Sequence, residues 1–162
     1  AANSRAQGLQ YADEFQCLAV CHQPRGGTLA DPTGNTVSCR LAAAQAANDA
    51  SDEDLGFLCR EAGPGGDDAC GTTCESFCTL MMGACPPENT SSSYPSYDAC
   101  IADCETLPQV AYAYGDGIFS GNTAQCRTFY AGFAAQGNSA DCERARGICV
   151  CVDPEPAPEA AE

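Results

Sequence analysis

The chain has 162 residues, a formal net charge of −15 and fourteen cysteines. This length suffices for one domain or two small ones. The charge comes from 22 acidic residues against seven basic ones, and such a field repels nucleic acid and anionic membrane surfaces. Because the sequence contains no run of about 18 apolar residues, we expect no membrane-spanning helix.

Cysteine makes up about one residue in twelve, the density of a disulfide framework formed in an oxidising compartment. Zinc binding is the competing explanation, but the sequence has no CxxC motif and a single histidine, whereas zinc sites need paired ligands. We therefore predict an extracytoplasmic protein (secreted, on the cell surface or in the periplasm) with about seven disulfides and no bound metal. The predicted bridging residues are Cys17, Cys21, Cys39, Cys59, Cys70, Cys74, Cys78, Cys85, Cys100, Cys104, Cys126, Cys142, Cys149 and Cys151.

The same landmarks occur twice along the chain, in the same order. CxxxC stands at 17–21 and again at 100–104, and GNTxxCR stands at 34–40 and again at 121–127. Each copy continues with an alanine-rich run, a lone cysteine, a glycine-containing turn and a last cysteine. We take Cys70 and Cys149 as the last cysteines, with Cys151 left over. This duplication predicts a first repeat at 1–70, a cysteine-richer second repeat at 71–151 and an acidic, proline-rich tail at 152–162.

We predict a mostly α fold: a small disulfide-rich tandem repeat of short helices, with long loops and an extended C-terminal tail. The sequence lacks the sustained alternation of apolar and polar residues that marks a strand. Helices are expected over residues 36–50 and 123–136, each begun by the glycine, asparagine and threonine of GNT. A capping box at 51–54 predicts a short helix through Leu58.

Residues on one face of a helix recur every three or four positions, and this places several thiols together. Cys74, Cys78 and Cys85 share one face of a helix that two prolines end. Cys100 and Cys104 share a face of the next helix. If the two helices are antiparallel, Cys74 can meet Cys104 and Cys78 can meet Cys100. Spacing alone leaves the other pairings open.

The motifs CxxFC(x6)C, CxxxC and GNTxxCR, together with AGPGGxxxC at 62–70, resemble a family of secreted, cysteine-rich proteins predicted in myxobacteria and related marine bacteria, mostly without assigned function. The resemblance covers residues 15–149. In that family histidines follow GNTxxCR and flank the later cysteine, whereas this chain has other residues there, such as Leu58 and Glu61. The resemblance implies that this chain keeps the cysteine scaffold of the family. It also implies that the chain has lost any metal or haem binding that the family histidines provide, which favours a structural role.

The single histidine, His22, directly follows the CxxxC motif at 17–21. CxxxCH is a candidate haem attachment for an electron-transfer protein, with Met81 or Met82 as the second axial ligand. The second repeat has Glu105 in the place of His22, so a structural disulfide role for both CxxxC motifs is simpler. One histidine also leaves little material for Ser-His-Asp or Cys-His catalysis. We expect no cofactor and no enzymatic activity.

The leading hypothesis is therefore a non-enzymatic extracytoplasmic structural or assembly protein: a filament or surface subunit, or an accessory subunit of a larger complex. Its expected partners are other protein subunits, reached through the tail at 152–162. Besides the haem protein, the alternative is a module that binds a small ligand, a cation or a peptide. The oxygen-rich loops that begin at Asp31 and Asp116 are candidate calcium sites. Turn formation explains their composition more simply. Asn89 lies in a glycosylation sequon.

Overall fold

A computed structural model describes residues 10–28, 32–87, 92–110 and 118–153. Within these ranges the chain forms seven α-helices, a short 3₁₀ helix at Gly66–Asp68 and no β-strand, which confirms the mostly α fold class. The helices are α1 (Glu14–Cys21), α2 (Val37–Asp49), α3 (Asp52–Ala62), α4 (Thr73–Ala84), α5 (Tyr97–Cys104), α6 (Ala124–Ala135) and α7 (Ala140–Ala145). None of these helices has the length and apolar character that crossing a bilayer requires. Asn89, Asp31, Asp116 and residues 154–162 of the tail lie outside the described ranges.

Both GNTxxCR motifs form a turn followed by a helix N-cap. Gly34 and Gly121 have φ values of 70° and 86°, a left-handed conformation that glycine adopts without strain. The hydroxyl oxygens of Thr36 and Thr123 then accept hydrogen bonds from the backbone N–H three residues further on, at 3.2 and 3.1 Å. Helices α2 and α6 consequently begin and end within one residue of the predicted bounds.

Helices α3 and α4 begin differently from one another. At the start of α4 a capping box joins Thr72 and Glu75, whose side chains each accept a hydrogen bond from the other residue's backbone N–H, at 3.1 and 2.7 Å. The capping box predicted at 51–54 is absent from α3, because the Ser51 hydroxyl bonds the carboxylate of Asp54 at 2.9 Å instead. Helix α3 also runs past the predicted end at Leu58.

The core of the described chain is built around α4. Phe77, Cys78 and Met81 of this helix are buried, and the cluster that contains them also takes Val20 from α1 and Ala131 from α6. Helix α1 of the first repeat therefore shares its core with helices of the second. The division of the chain into domains at residue 70 stays a prediction.

Five disulfides tie the helices together. They are Cys39–Cys70, Cys74–Cys104, Cys78–Cys100, Cys85–Cys142 and Cys126–Cys151, with Cα–Cα distances of 5.5 to 5.8 Å. The two bridges between α4 and α5 are the pairs predicted for two antiparallel helices. A third bridge from α4 reaches α7, and each of the remaining two fixes the first turn of a GNT-capped helix to a later loop.

Four of the fourteen cysteines remain thiols, so the chain has five disulfides rather than the expected seven or so. The thiols are Cys17, Cys21, Cys59 and Cys149. The second-repeat counterparts of the first three are Cys100, Cys104 and Cys142, and all three of those bond to α4. Residues 1–16, which precede the first CxxxC motif, contain no cysteine that could take the place of those in α4. The three thiols of the first repeat therefore lack the partners that their counterparts have.

The last cysteine of the second repeat is Cys151 and not Cys149 as predicted. Cys151 is fully buried and bonds Cys126, in the way that Cys70 bonds Cys39. Cys149 is exposed to solvent. The two candidates lie two residues apart, so only the course of the backbone decides which one faces inwards.

The assigned pairing makes these neighbouring cysteines unequal in their effect on stability. Cys151→Ser should lower the free energy of unfolding by about 2–5 kcal/mol, because it removes a native bridge. Cys149→Ser is the matched control and should change it by less than about 0.5 kcal/mol, since it alters an exposed side chain. Urea denaturation of both variants measures the difference. Equal losses in the two variants would contradict the pairing.

Candidate functional site: the Cys17–Cys21 thiol pair

The two thiols of the first CxxxC motif lie one turn apart on α1, and both are half-buried. Asp13 caps this helix by accepting a hydrogen bond from the backbone N–H of Gln16 at 2.7 Å. The inner face of α1 carries Gln16 and Val20, which pack closely over Gly132 of α6, where an added Cβ would lie 3.1 Å from the Gln16 side chain. This packing leaves Cys17 and Cys21 beside the buried face rather than on it.

A buried arginine lies next to the thiol pair. Arg40, the last residue of the first GNTxxCR motif, is 4% exposed. Its guanidinium donates hydrogen bonds to the Gly63 carbonyl at 3.2 Å, the Ser76 hydroxyl at 2.9 Å and the Thr36 carbonyl at 3.4 Å. Among the described residues no carboxylate forms an ion pair with Arg40. The positive charge is therefore hydrogen-bonded but not neutralised.

This environment makes the two thiols unequal. A hydrogen bond from Cys17, the charge of Arg40 and a hydrogen bond with Tyr11 together lower the pKa of Cys21 to about 7. The same hydrogen bond, burial and the neighbouring charge of Cys21 raise the pKa of Cys17. As the pH rises through about 7 the pair loses one of its two protons, and the thiolate forms preferentially on Cys21. A thiolate is the nucleophilic form of cysteine.

The corresponding place in the second repeat contains a carboxylate. Asp103 stands between Cys100 and Cys104 where the first repeat has Val20. The guanidinium groups of Arg127 and Arg146 each lie 3.2 Å from Oδ2 of Asp103, and the Tyr94 hydroxyl donates to the same oxygen. Arg127 is the counterpart of Arg40 and has a carboxylate partner, whereas Arg40 bonds only carbonyl and hydroxyl groups and its charge acts on Cys21.

Sequence reasoning overlooked Tyr11 and Arg40 as parts of this site. A signal for both was present, since a tyrosine precedes the first cysteine of CxxxC by six positions in each repeat (Tyr11 and Tyr94) and an arginine ends each GNTxxCR motif. The single proton of the Tyr11 hydroxyl points at the Ala62 carbonyl at 3.0 Å, and the same hydroxyl can donate to the Cys21 thiolate instead. Tyr11 thus joins the segment before α1 to the last residue of α3.

The residues of the haem hypothesis occupy separate environments. His22 follows α1 as an exposed C-cap residue, whose backbone N–H bonds the Leu18 carbonyl at 3.1 Å. Met81 is 1% exposed within the main core, and Met82 packs against the same cluster. Met81 in particular is committed to apolar packing around α4.

An open cavity of about 420 Å³ lies between the 3₁₀ helix, the start of α4 and the end of α5. Its lining residues are Asp67, Asp68, Thr72, Thr73, Cys74, Glu105, Gln109, Val110 and Gln125. Asp67 is already paired with Arg60 at 3.1 Å. The described part of the chain contains no group of three or more His, Cys, Asp or Glu side chains placed to hold a metal ion. The cavity is thus a polar surface hollow beside the bridged helices.

The thiol pair predicts a measurable pH dependence. In a Cys149→Ser background, alkylation of Cys21 by iodoacetamide should accelerate as the pH rises through about 7, because the thiolate reacts and the thiol does not. Cys17→Ala removes the hydrogen-bond donor and should move this midpoint to higher pH. Cys17→Ser keeps a hydroxyl donor and should move it less. Peptide mapping of the alkylated chain gives the rates, and identical profiles for all three chains would contradict the assigned hydrogen bond.

Comparison of the chain with models of known protein families, with curated proteins and with solved structures gave no match. The description of the site therefore rests on its own residues and on the internal repeat.

Proposed function

We propose that this chain is a non-enzymatic extracytoplasmic structural or assembly protein, which serves as a filament or surface subunit or as an accessory subunit of a larger complex. The observation that carries the proposal is the concentration of disulfides on one helix. Two of the five bridges leave α4 for α5, and a third joins Cys85, the C-cap residue of α4, to α7. Disulfide cross-links at this density stabilise the fold of a small domain outside the cell.

The compartment follows from the same bridges. Five disulfides indicate an oxidising environment outside the cytoplasm, where bridges of this kind form and persist. We place the protein on the cell surface, in the periplasm or in the medium. Its charge of −15 favours basic or cationic partners over nucleic acid.

The buried polar groups support a structural role, because the fold itself uses them. Arg127 is held by Asp103 and by the Asn122 side chain at 2.9 Å. Asp141 is 2% exposed and is held by Arg144 at 2.7 Å. The Thr128 hydroxyl returns to the carbonyl of Ala124 within α6 at 2.8 Å. The Arg127 contact joins α6 to α5 and the other two lie within α7 and α6, so all three contribute to the helical framework.

Two exposed apolar side chains stand near the start of the tail. Ile148 is 61% exposed and Val152 is 40% exposed, on a segment that the Cys126–Cys151 bridge holds to α6. An apolar surface of this kind is typical of a contact with another protein when it adjoins an extended segment. We propose that residues 152–162 reach a neighbouring subunit from this anchored position.

The assembly role is tested by removing the tail. A chain that ends at Val152 should keep its fold and its five bridges, because the last bridged residue is Cys151. It should no longer assemble, because it lacks the segment that is proposed to reach a neighbouring subunit. Light scattering coupled to a sizing column gives the native mass, and non-reducing intact mass gives the number of bridges. A chain with a glycine-serine tail of equal length is the matched control and should also fail to assemble.

Two results would count against this role. One is a full-length chain that stays a monodisperse monomer at all concentrations. The other is a tail-less chain that assembles as well as the full-length chain.

A further inference from the structure

The unpaired thiols of the first repeat occur in a pattern. Helix α4 bonds Cys100, Cys104 and Cys142 in the second repeat, and the counterparts of these three residues are three of the four thiols of the chain. The bridge that does not involve α4, Cys126–Cys151, has its counterpart intact in Cys39–Cys70. The first repeat is thus complete except for the bridges that a helix like α4 would make.

Apolar side chains on α1 and α2 are uncovered at matching positions. Leu18 stands between the thiols and is 52% exposed, whereas its counterpart Ile101 on α5 packs against the core around α4. Leu41 on α2 is 46% exposed, whereas its counterpart Thr128 on α6 is fully buried. Helix α2 buries five of its 13 residues and α6 buries nine of its 12. The first repeat therefore presents the faces that the second repeat keeps inside.

The α4–α5 pair specifies how such a face is covered. The two helices join through crossed bridges, in which the first cysteine of one helix bonds the second cysteine of the other. This arrangement belongs to antiparallel helices whose CxxxC motifs lie opposite each other. Cys17 and Cys21 have the same spacing on α1 and hydrogen-bond to each other, so a second CxxxC helix can approach both thiols at once.

We propose that α1 is the docking site for a partner helix of the α4 type, a helix from outside residues 1–162 that carries a CxxxC motif and lies antiparallel to α1. Cys21 bonds the first cysteine of the partner helix and Cys17 bonds the second. This docking rests on the proposed assembly function, and the partner is defined by the chemistry of its CxxxC helix. Cys59 is 5% exposed, so the covalent contact is confined to Cys17 and Cys21.

A second copy of α1 satisfies these observations less well. In α4 the side chains that pack beside the cysteines are Phe77 and Met81, which fill the core between helices. Helix α1 has already committed Gln16 and Val20 to its own contact with α6. The partner must bring an apolar face of its own, as α4 does.

The bonds form by thiol–disulfide exchange and need no further oxidant. The Cys21 thiolate attacks the sulfur of a partner cysteine that is held in a disulfide with a small thiol. A bond forms between the two cysteines, the bond to the small thiol breaks, and the small thiol leaves with the electron pair. Cys17 loses its proton to water and repeats the exchange at the second partner cysteine. Two disulfides are consumed, two are formed and two small thiols are released.

The test uses a synthetic peptide with the sequence of residues 71–87, in which Cys85 is replaced by serine and the other two cysteines carry glutathione as mixed disulfides. Mixed with the full-length Cys149→Ser chain, it should give a one-to-one adduct with release of two glutathiones per chain. Non-reducing intact mass and peptide mapping should find Cys21 bonded to the first peptide cysteine and Cys17 to the second.

The control peptide has the residues at the positions of Ser76 and Cys78 exchanged, which places its two thiols on different faces of the helix. The doubly bonded adduct should form at least about tenfold more slowly with it, because the second exchange loses its effective concentration. Equal rates for the two peptides overturn the proposal, and so do an adduct that keeps one glutathione, a disulfide between Cys17 and Cys21, or a dimer of the chain through these residues. Because the readout is a covalent linkage, it is independent of the native mass that tests the assembly function.

Discussion

The crossed disulfides between α4 and α5 are the constraint on which the rest of the described structure depends. They fix two short helices side by side with their apolar faces inward, and the bridge from Cys85 to Cys142 adds α7 to the same helix. Aromatic residues make up only 7% of the chain, so side-chain packing has little large apolar surface to use. The cysteines supply part of the packing as well as the cross-links, since several of them are completely buried.

The sequence predicted those features that depend on spacing and on local chemistry. The helical fold and the start of α2 and α6 at the GNT motifs follow from residues close together in the chain. The crossed pairs of α4 and α5 follow from the matching cysteine spacing of two successive helices. The choice between Cys149 and Cys151 does not, because it depends on how the loop after α7 turns. The cysteine density and the repeated CxxxC motif predict bridges for the thiols of α1 as well, while their actual state depends on which helix lies opposite them.

The two repeats place equivalent arginines in different electrostatic surroundings. In the second repeat Asp103 forms ion pairs with two arginines and accepts a hydrogen bond from Tyr94, so these side chains form one network. In the first repeat Val20 turns into the core and leaves Arg40 with carbonyl and hydroxyl partners. The uncompensated charge then stabilises a thiolate. Comparison of the repeats identified the arginines as equivalent, but their different electrostatic roles emerged only from the packing around them.

The placement of the bridges also determines how the chain would carry a mechanical load. From Cys74 to Cys151 the bridged loops overlap, and residues 39–70 form a closed loop of their own. A pull on the N-terminal side therefore meets no covalent cross-link before Cys39, and α1 resists it through side-chain contacts alone. Beyond that point only residues 71–73 separate the two covalent blocks. The described chain is therefore cross-linked over residues 39–70 and 74–151, whereas the helix that carries the Cys17–Cys21 thiol pair lies outside both cross-linked blocks.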